Sequence, residues 1–573
     1  MPENIFALLQ EQPVYLNVYI AVFRWVAPVL AFILLLRCCA PLLSFRKEPE
    51  VWAFLHLPDG RKEPVIHWEN VIGHSKKSDI VLEYPTVSKT HGVLTRYGDG
   101  TWTIADSDSS TGIRVNGKKI KMRALQPDDV ITIGEVEATL HPVSRDEETQ
   151  REKLRTNAVA PFTSVGNLIL LSVLQILACL AFLLQSNENT AMPILTGFSG
   201  IMIAQWLLLA FYMIIRRTAF EVETIAFFLC TLGMAMIATV KPTETVKQMI
   251  AMFVGIAGFL FVGWSLRDLN RAKTIRMIAA VAGVLFLVIT LVFGKEYYGA
   301  KNWLIIAGTS IQPSELTKVC FVFVGASSLE LIITKRNLIL FIGYSMLICG
   351  FLALMNDFGA ALIFFCTFLV IAFLRSGNVG TLGLAITSLG FAGVVVLKIA
   401  PHALRRFSTW RHIWEMPLDG GYQQVKALIC MASGGLLGLG PGCGWMKNVF
   451  AADSDVAVAT LTEEWGLLVF IMAILCIVAL AVFCVRSAAM GRNSFYTIGA
   501  CAAVTILLVQ VILNALGTVD VLPLTGVTFP FLSNGGSSMI CAWCLLAFIK
   551  AADTRQNASF AIKREKPGKG GAE

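Results

Sequence analysis

Residues 450–466 read FAADSDVAVATLTEEWG, and the apolar run 466–485, GLLVFIMAILCIVALAVFCV, follows directly. The run is long enough to cross a bilayer as one helix. The stretch before it holds four carboxylates, Asp453, Asp455, Glu463 and Glu464. Ionisable groups are costly in the hydrocarbon region, so acids at its edge mark a helix cap or a site.

The rest of the chain follows the same pattern. Of 573 residues, 55% are hydrophobic and 15% charged, the profile of a polytopic membrane protein. Segment 15–36 predicts an uncleaved anchor, within an N-terminal unit 1–48. After residue 161 about twelve further apolar spans alternate with polar loops: 166–186, 192–215, 222–240, 248–266, 277–293, 316–333, 337–355, 358–374, 381–400, 466–485, 496–516 and 535–551. The fourteen cysteines lie mostly inside these spans and suggest neither a disulfide framework nor a zinc site. The net charge of +8 matters through its distribution and points to no nucleic-acid partner. Basic residues cluster in alternate loops, at 216–217, 267–273, 334–336, 375 and 486–492, and in the tail 557–573. The positive-inside rule therefore predicts a cytoplasmic C-terminus, with 294–315, 401–465 and 517–534 outside.

Residues 51–143 differ in texture. Short alternating runs such as DIVLEY and TWTIAD are separated by turn signals such as YGDG and VNGK. They predict a small all-β sandwich on the cytoplasmic side, joined by a charged linker, 144–160, to the membrane domain 161–556.

Three outer loops are dense in special residues: GAKNWLIIAGTSIQPSELTK (299–318), the long segment 405–466, and VLPLTGVTFPFLSNGGSSMI (521–540). With NDFGAAL (356–362), GYQ (421–423) and SGGLLGLG (433–440), this set closely resembles the SEDS family of FtsW, RodA and SpoVE. Two positions depart from the family pattern: Asn302 stands where Arg is frequent, and Asn534 where Tyr is common. Two helices at the amino side look extra. The resemblance implies a SEDS-type peptidoglycan glycosyltransferase. Its substrate would be lipid II, polymerised outside the bacterial cytoplasmic membrane in division or shape maintenance. Its partner would be a monofunctional penicillin-binding transpeptidase. The rival reading is a lipid II flippase or a scaffold without chemistry.

Alignment on the family motif makes Asp455 the essential acid. Sugar transfer needs a base at the acceptor hydroxyl and a stabilised diphosphate leaving group. Cationic candidates for the diphosphate are Lys301, Arg405, Arg406 and Lys447, or a bound magnesium or manganese ion. Trp303, Gln423, Ser537 and Ser538 complete the substrate candidates. Several assignments stay two-sided. Asp455 alone reads as a first-turn acid. Asp453 reads as a solvated neighbour. One of Glu463 and Glu464 is expected to face the cavity and the other an ion-pair partner. Glu315 and Lys318 fit a structural pair or a substrate contact. SNGGSS fits close helix packing or an anion cradle, and Asp357 fits a cap or a functional acid.

The stretch 71–120 resembles a forkhead-associated (FHA) domain at Gly73, Ser88, His91, Ser109, Gly112, Asn116 and Gly117. That resemblance implies phosphothreonine binding within a Ser/Thr-kinase pathway, with Gly73, His74, Ser88, Lys89, His91 and Thr111 at the pocket. Two departures, His74 for Arg and Thr111 for Asn, weaken the phosphate site, and Lys89 is placed to compensate. The alternative is a packing module with a dead pocket.

Overall fold

A computed structural model describes residues 13–44, 51–76, 78–97, 100–144, 162–297, 299–306, 309–326, 335–376, 401–489 and 493–553, with scattered positions between 380 and 393. Most of the expected linker, the tail and span 381–400 lie outside the described residues.

The amino-terminal unit is a β-sandwich with eleven strands among the described residues, β1 (Ala53–His56) to β11 (Val136–Pro142). One sheet runs β2-β1-β11-β10-β7-β8 and the other β4-β3-β5-β6-β9. Period-two alternation drives it. In β1, Ala53 and Leu55 point inward, and in β10 (Val130–Ile133) Ile131 and Ile133 do so, closing a core with Leu94, Ile104 and Val115.

Among the described residues the membrane part has fourteen α-helices, numbered in chain order. They are α1 (Pro13–Ser44), α2 (Phe162–Leu183), α3 (Glu188–Ile214), α4 (Glu221–Val240), α5 (Thr245–Leu266), α6 (Leu269–Phe293), α7 (Pro313–Gly325), α8 (Lys335–Leu354), α9 (Phe358–Ser376), α10 (Pro401–Thr409), α11 (Tyr422–Gly434), α12 (Ala457–Ala489), α13 (Ser494–Thr518) and α14 (Gly536–Ala551). Among the described residues, ten helices are long and apolar enough to cross a membrane, and α14 is a shorter apolar helix. The expected span 316–333 is shorter as described. Its helix starts at Pro313, where a missing N–H costs nothing, and ends at Gly325 before an extended Ala326.

The expected start of α12 is corrected more sharply. Helix begins at Ala457, and Gly466, φ 85° and ψ 163°, breaks it in mid-course. Residues 435–440 fill the break. Leu439 N–H donates to Glu463 O (2.8 Å) and Gly440 N–H to Glu464 O (2.9 Å), while Leu467 N–H donates to Gly435 O (3.0 Å). Irregular backbone at membrane depth is tolerated where protein groups satisfy it this way.

Hydrogen bonds gather the site loops at one end of the bundle: Ser533 Oγ donates to Ser454 O, Arg406 to Thr525 O, and Gln312 N–H to Ser537 Oγ. The opposite end, next to the sandwich, is closed by a buried cluster. Lys550 Nζ donates to Glu223 Oε2 (3.0 Å) and Ala219 O (2.9 Å), and Tyr212 donates to Glu223 Oε1 (2.6 Å). The sandwich touches this end where Ser494 N–H, opening α13, donates to Glu69 Oε2 (2.9 Å).

A β-carbon at Gly466 would overlap Leu436 O, and its dihedrals are open essentially to glycine alone. Gly466→Ala is therefore expected to cost about 1–3 kcal/mol from backbone strain, before the overlap is counted. Gly343 in α8 has open space around it, so Gly343→Ala should be tolerated. Yield and melting temperature in detergent check the contrast. Equal behaviour of the two variants would contradict the account of the break.

Candidate functional site

The four carboxylates that open the sequence reading have separate surroundings. Asp453 is buried, not solvated, which corrects the sequence expectation. Its Oδ2 pairs with Lys241 Nζ (2.9 Å) from the α4–α5 loop and accepts from Asn534 Nδ2 (2.7 Å). Asn534 also donates to Glu244 Oε2 (2.9 Å), so the residue that departs from the family Tyr ties two acids together.

Glu463 and Glu464 are likewise corrected. Neither has an ion-pair partner among the described residues. Glu463 accepts from the backbone N–H of Trp445 (2.9 Å) and Met446 (2.8 Å). Glu464 accepts from Gly444 N–H (3.2 Å) and Thr239 Oγ1 (2.7 Å). Both are buried because backbone donors of the 442–446 turn satisfy them, and so they shape the site from behind.

Asp455 is different. It sits in the turn 451–456, half-buried, with no ion-pair partner among the described residues. Burial raises its pKa above the ordinary aspartate value. A hydrogen bond from Ser454 and the charge of Arg406 oppose this, and Asp453 adds to it. Across from it lies the third loop, where a β-carbon at Gly526 would stand 3.3 Å from Asp455 Oδ2. Arg406, on α10, donates to Thr525 O (3.0 Å) in that loop. Ser533 Oγ donates to Ser454 O (2.8 Å), and Asn534 N–H donates to Asp453 O (2.7 Å). The structure thus brings the second and third loops together around one carboxylate and one guanidinium.

The first loop forms the other wall. Strand β13 (Ala300–Ile306), which carries Lys301 and Trp303, pairs with β12 (Lys295–Tyr297) and β14 (Thr309–Ile311). Asp357 caps α9 by accepting from Ala360 N–H (3.1 Å). Its other oxygen accepts from Asn302 (3.1 Å) and Gln312 (3.3 Å), so it also holds the loop. Glu315 and Lys318 form a buried pair at 2.6 Å, favouring the structural reading. Ser537 Oγ accepts from Gln312 N–H (3.3 Å), and Ser538 bonds Thr528 at 2.8 Å. Both serines therefore join loops. Gln423 donates to Phe450 O (2.9 Å), and the exposed Lys447 to Gly442 O (3.0 Å).

The residues do not compose a cation cage. Among the described residues no three acidic, histidine or cysteine side chains converge to hold a metal. Asp453 is paired with Lys241, and both glutamates are occupied by backbone donors. Arg406, the cation whose charge acts on Asp455, remains available for a diphosphate.

Sequence reasoning missed two supports. Gln185, just beyond α2, donates to Pro441 O (2.7 Å) and so steadies the turn that the glutamates bind. Asn514, deep in α13, reaches the Asp455 backbone. Asn514 sits in an apolar run and Gln185 opens a polar loop, and in neither place does a single amide give a pattern.

On the sandwich, His91 is fully buried, which corrects its assignment to the ligand pocket. Its Nδ1 accepts Ser88 N–H (3.0 Å), so the ring holds the loop, and burial lowers its pKa. Gly73 is buried against Lys89 O. Ser88 Oγ contacts Ser110 Oγ (3.0 Å), His74 Nδ1 contacts Leu82 O (3.3 Å), and Thr111 Oγ1 donates to Thr86 O (3.4 Å). His74, Lys89 and Thr111 are exposed beside them. Lys119 passes over Gly112 and adds a cation that the sequence reading did not include.

Known proteins share both parts. The FHA domain profile matches residues 70–134. The profile of the FtsW/RodA/SpoVE cell cycle proteins matches residues 227–558, more than half the chain, and leaves α1, α2 and α3 outside. Peptidoglycan glycosyltransferase RodA of Mycobacterium tuberculosis H37Rv is 30% identical over 326 residues, covering 53% of this chain and 69% of the relative. Probable peptidoglycan glycosyltransferase FtsW of Coxiella burnetii is 27% identical over 333 residues, covering 54% and 90%. A chain from a solved peptidoglycan synthase complex, studied for coordination of polymerization and crosslinking, superposes with a TM-score of 0.50 at 21% identity. It covers 58% of this chain and 96% of the other, and shares the fold of the membrane part. The chain belongs to the FtsW/RodA/SpoVE family.

Proposed function

We propose that this protein is a peptidoglycan glycosyltransferase that polymerises lipid II on the outer face of the cytoplasmic membrane. The observation that carries the reading is Asp455. It is the one carboxylate of its segment with neither an ion pair nor a backbone N–H donor to its side chain among the described residues, and it faces the third loop within reach of the Arg406 charge. Asp455 takes the proton from the acceptor sugar's 4-hydroxyl as that oxygen attacks the anomeric carbon of the donor. The bond from that carbon to the lipid diphosphate breaks, and the diphosphate leaves with its charge balanced by Arg406 and Lys447. The basic loops support an outer location for the site and a cytoplasmic one for the sandwich and tail. Family resemblance supports a penicillin-binding transpeptidase as partner, and the half-buried Ser88 with the exposed Lys89 and Lys119 supports phosphothreonine reading by the sandwich.

Polymerisation of labelled lipid II, read on a gel, tests the base. Asp455→Asn should lose about 10²–10⁴-fold in rate while folded yield is kept. Near wild-type polymerisation by that variant would refute the assignment. Asp453→Asn should instead lower the melting temperature, because it breaks the ion pair between the buried Asp453 and the half-exposed Lys241.

Asp455 must be ionised to act, and burial raises its pKa. The acid limb of kcat/KM should therefore fall above the ordinary aspartate value of about 3.9. Arg406 opposes the shift, so Arg406→Gln should move the limb further up in pH. An unmoved limb would separate the two groups.

For the sandwich, Ser88→Ala should weaken binding of a fluorescent phosphothreonine peptide to the full-length protein. His74→Arg should strengthen it, since guanidinium grips phosphate through two bonds. No binding by either the wild type or His74→Arg would make the module a packing domain.

A further inference from the structure

Helix α13 ends beneath two of the site loops, and one of its side chains holds both. Asn514 is 1% exposed. Its amide nitrogen donates to the backbone carbonyl of Asp455 (3.0 Å) and to that of Val527 (2.7 Å). Both partners are acceptors, so only the NH2 end can face them, and chemistry fixes the amide's orientation.

We infer that Asn514 is a positioning residue for proton transfer at Asp455, fixing the gap between the carboxylate's turn and the loop across from it. The inference rests on the reading of Asp455 as the base. Within the turn, Asp455 N–H donates to Ala451 O (3.1 Å), while the turn's other ties to side chains and to the third loop stop short of Asp455. Thr460 Oγ1 donates to Ala452 O (2.7 Å), Asn534 N–H to Asp453 O (2.7 Å), and Ser533 Oγ to Ser454 O (2.8 Å). Asn514 bonds the peptide of Asp455 itself. Its second partner, Val527, follows Gly526, the residue that approaches the carboxylate.

The anchor is stiff. Asn514 lies inside a helix of 25 residues, between buried Gln510 and Thr518, and Thr518 Oγ1 donates to Asn514 O (2.7 Å). A side chain at this place cannot reach substrate except through the two loops. Misplacing a reacting group by about 1 Å costs on the order of 10²-fold in rate. A latch on the backbone of the base, rather than on its carboxylate, leaves the carboxylate's proton affinity to its own surroundings while setting its location.

The test is steady-state polymerisation of lipid II by the full-length protein in nanodiscs, with folding followed by melting temperature. Asn514→Ala should lower kcat about tenfold to a hundredfold, with KM within about twofold of wild type, as expected for an interaction that counts only in the transition state. In the Asp455→Asn background the same substitution should cost less than about twofold, since residues that act as one unit are not additive. Should Asn514→Ala fail to fold, Asn514→Ser, which keeps a hydroxyl donor, carries the same comparison. A folded variant with wild-type kcat overturns the inference. So does a loss carried by KM, or an undiminished loss in the Asp455→Asn background. A wild-type rate for Asp455→Asn alone locates the failure in the base assignment instead.

Discussion

The break of α12 at Gly466 is the constraint on which the site depends. A helix entering a bilayer normally satisfies its own carbonyls. Here the carbonyls of Glu463 and Glu464 turn outward and accept from Leu439 and Gly440, while Leu467 returns a bond to Gly435. This exchange stitches the glycine-rich 434–440 segment into the helix. It also puts two carboxylates where backbone N–H groups of the 442–446 turn, together with the Thr239 hydroxyl, satisfy them. A charge buried without such donors would be strongly destabilising. The glutamates and the turn therefore specify one another, and Asp455, just before the helix, inherits a fixed position.

The elements outside the family-matched stretch bear on the same place. Ile20 of α1 lies over Gly440, Phe23 of α1 packs edge-on against Trp465 at 5.1 Å, and Gln185 holds Pro441. The two segments that flank the β-sandwich in sequence thus end on one turn at the far side of the bundle. The sandwich itself meets α13 through Glu69 and Ser494, and α13 carries Asn514 at its other end. The added modules are built onto the catalytic frame rather than hung beside it.

Much of this was legible in the sequence. The alternating runs of 51–143 could bury one face only as a sandwich, and apolar length set most of the spans. The motif loops marked Asp455. What the sequence hid were partners set by tertiary contact. Asp453 reads as an exposed loop acid until Lys241, far away in the chain, is brought against it. Glu463 and Glu464 read as cavity or ion-pair groups because a backbone turn leaves no sequence signal as a donor. His91 matches the phosphopeptide motif, yet it serves the loop from inside the core. Helical periodicity could not show that Gly466 interrupts α12, since one glycine in an apolar run is usually tolerated.

The central claim is that the gathered loops form one glycosyl-transfer site in which Asp455 faces the acceptor hydroxyl. The most direct measurement is a cryo-electron microscopy structure in nanodiscs with a non-transferable lipid II analogue and a short acceptor glycan. The account predicts the acceptor 4-hydroxyl within about 2.6–3.2 Å of an Asp455 carboxylate oxygen, with the diphosphate on the Arg406 side. An acceptor bound with its 4-hydroxyl beyond reach of Asp455, even through one water, would contradict it.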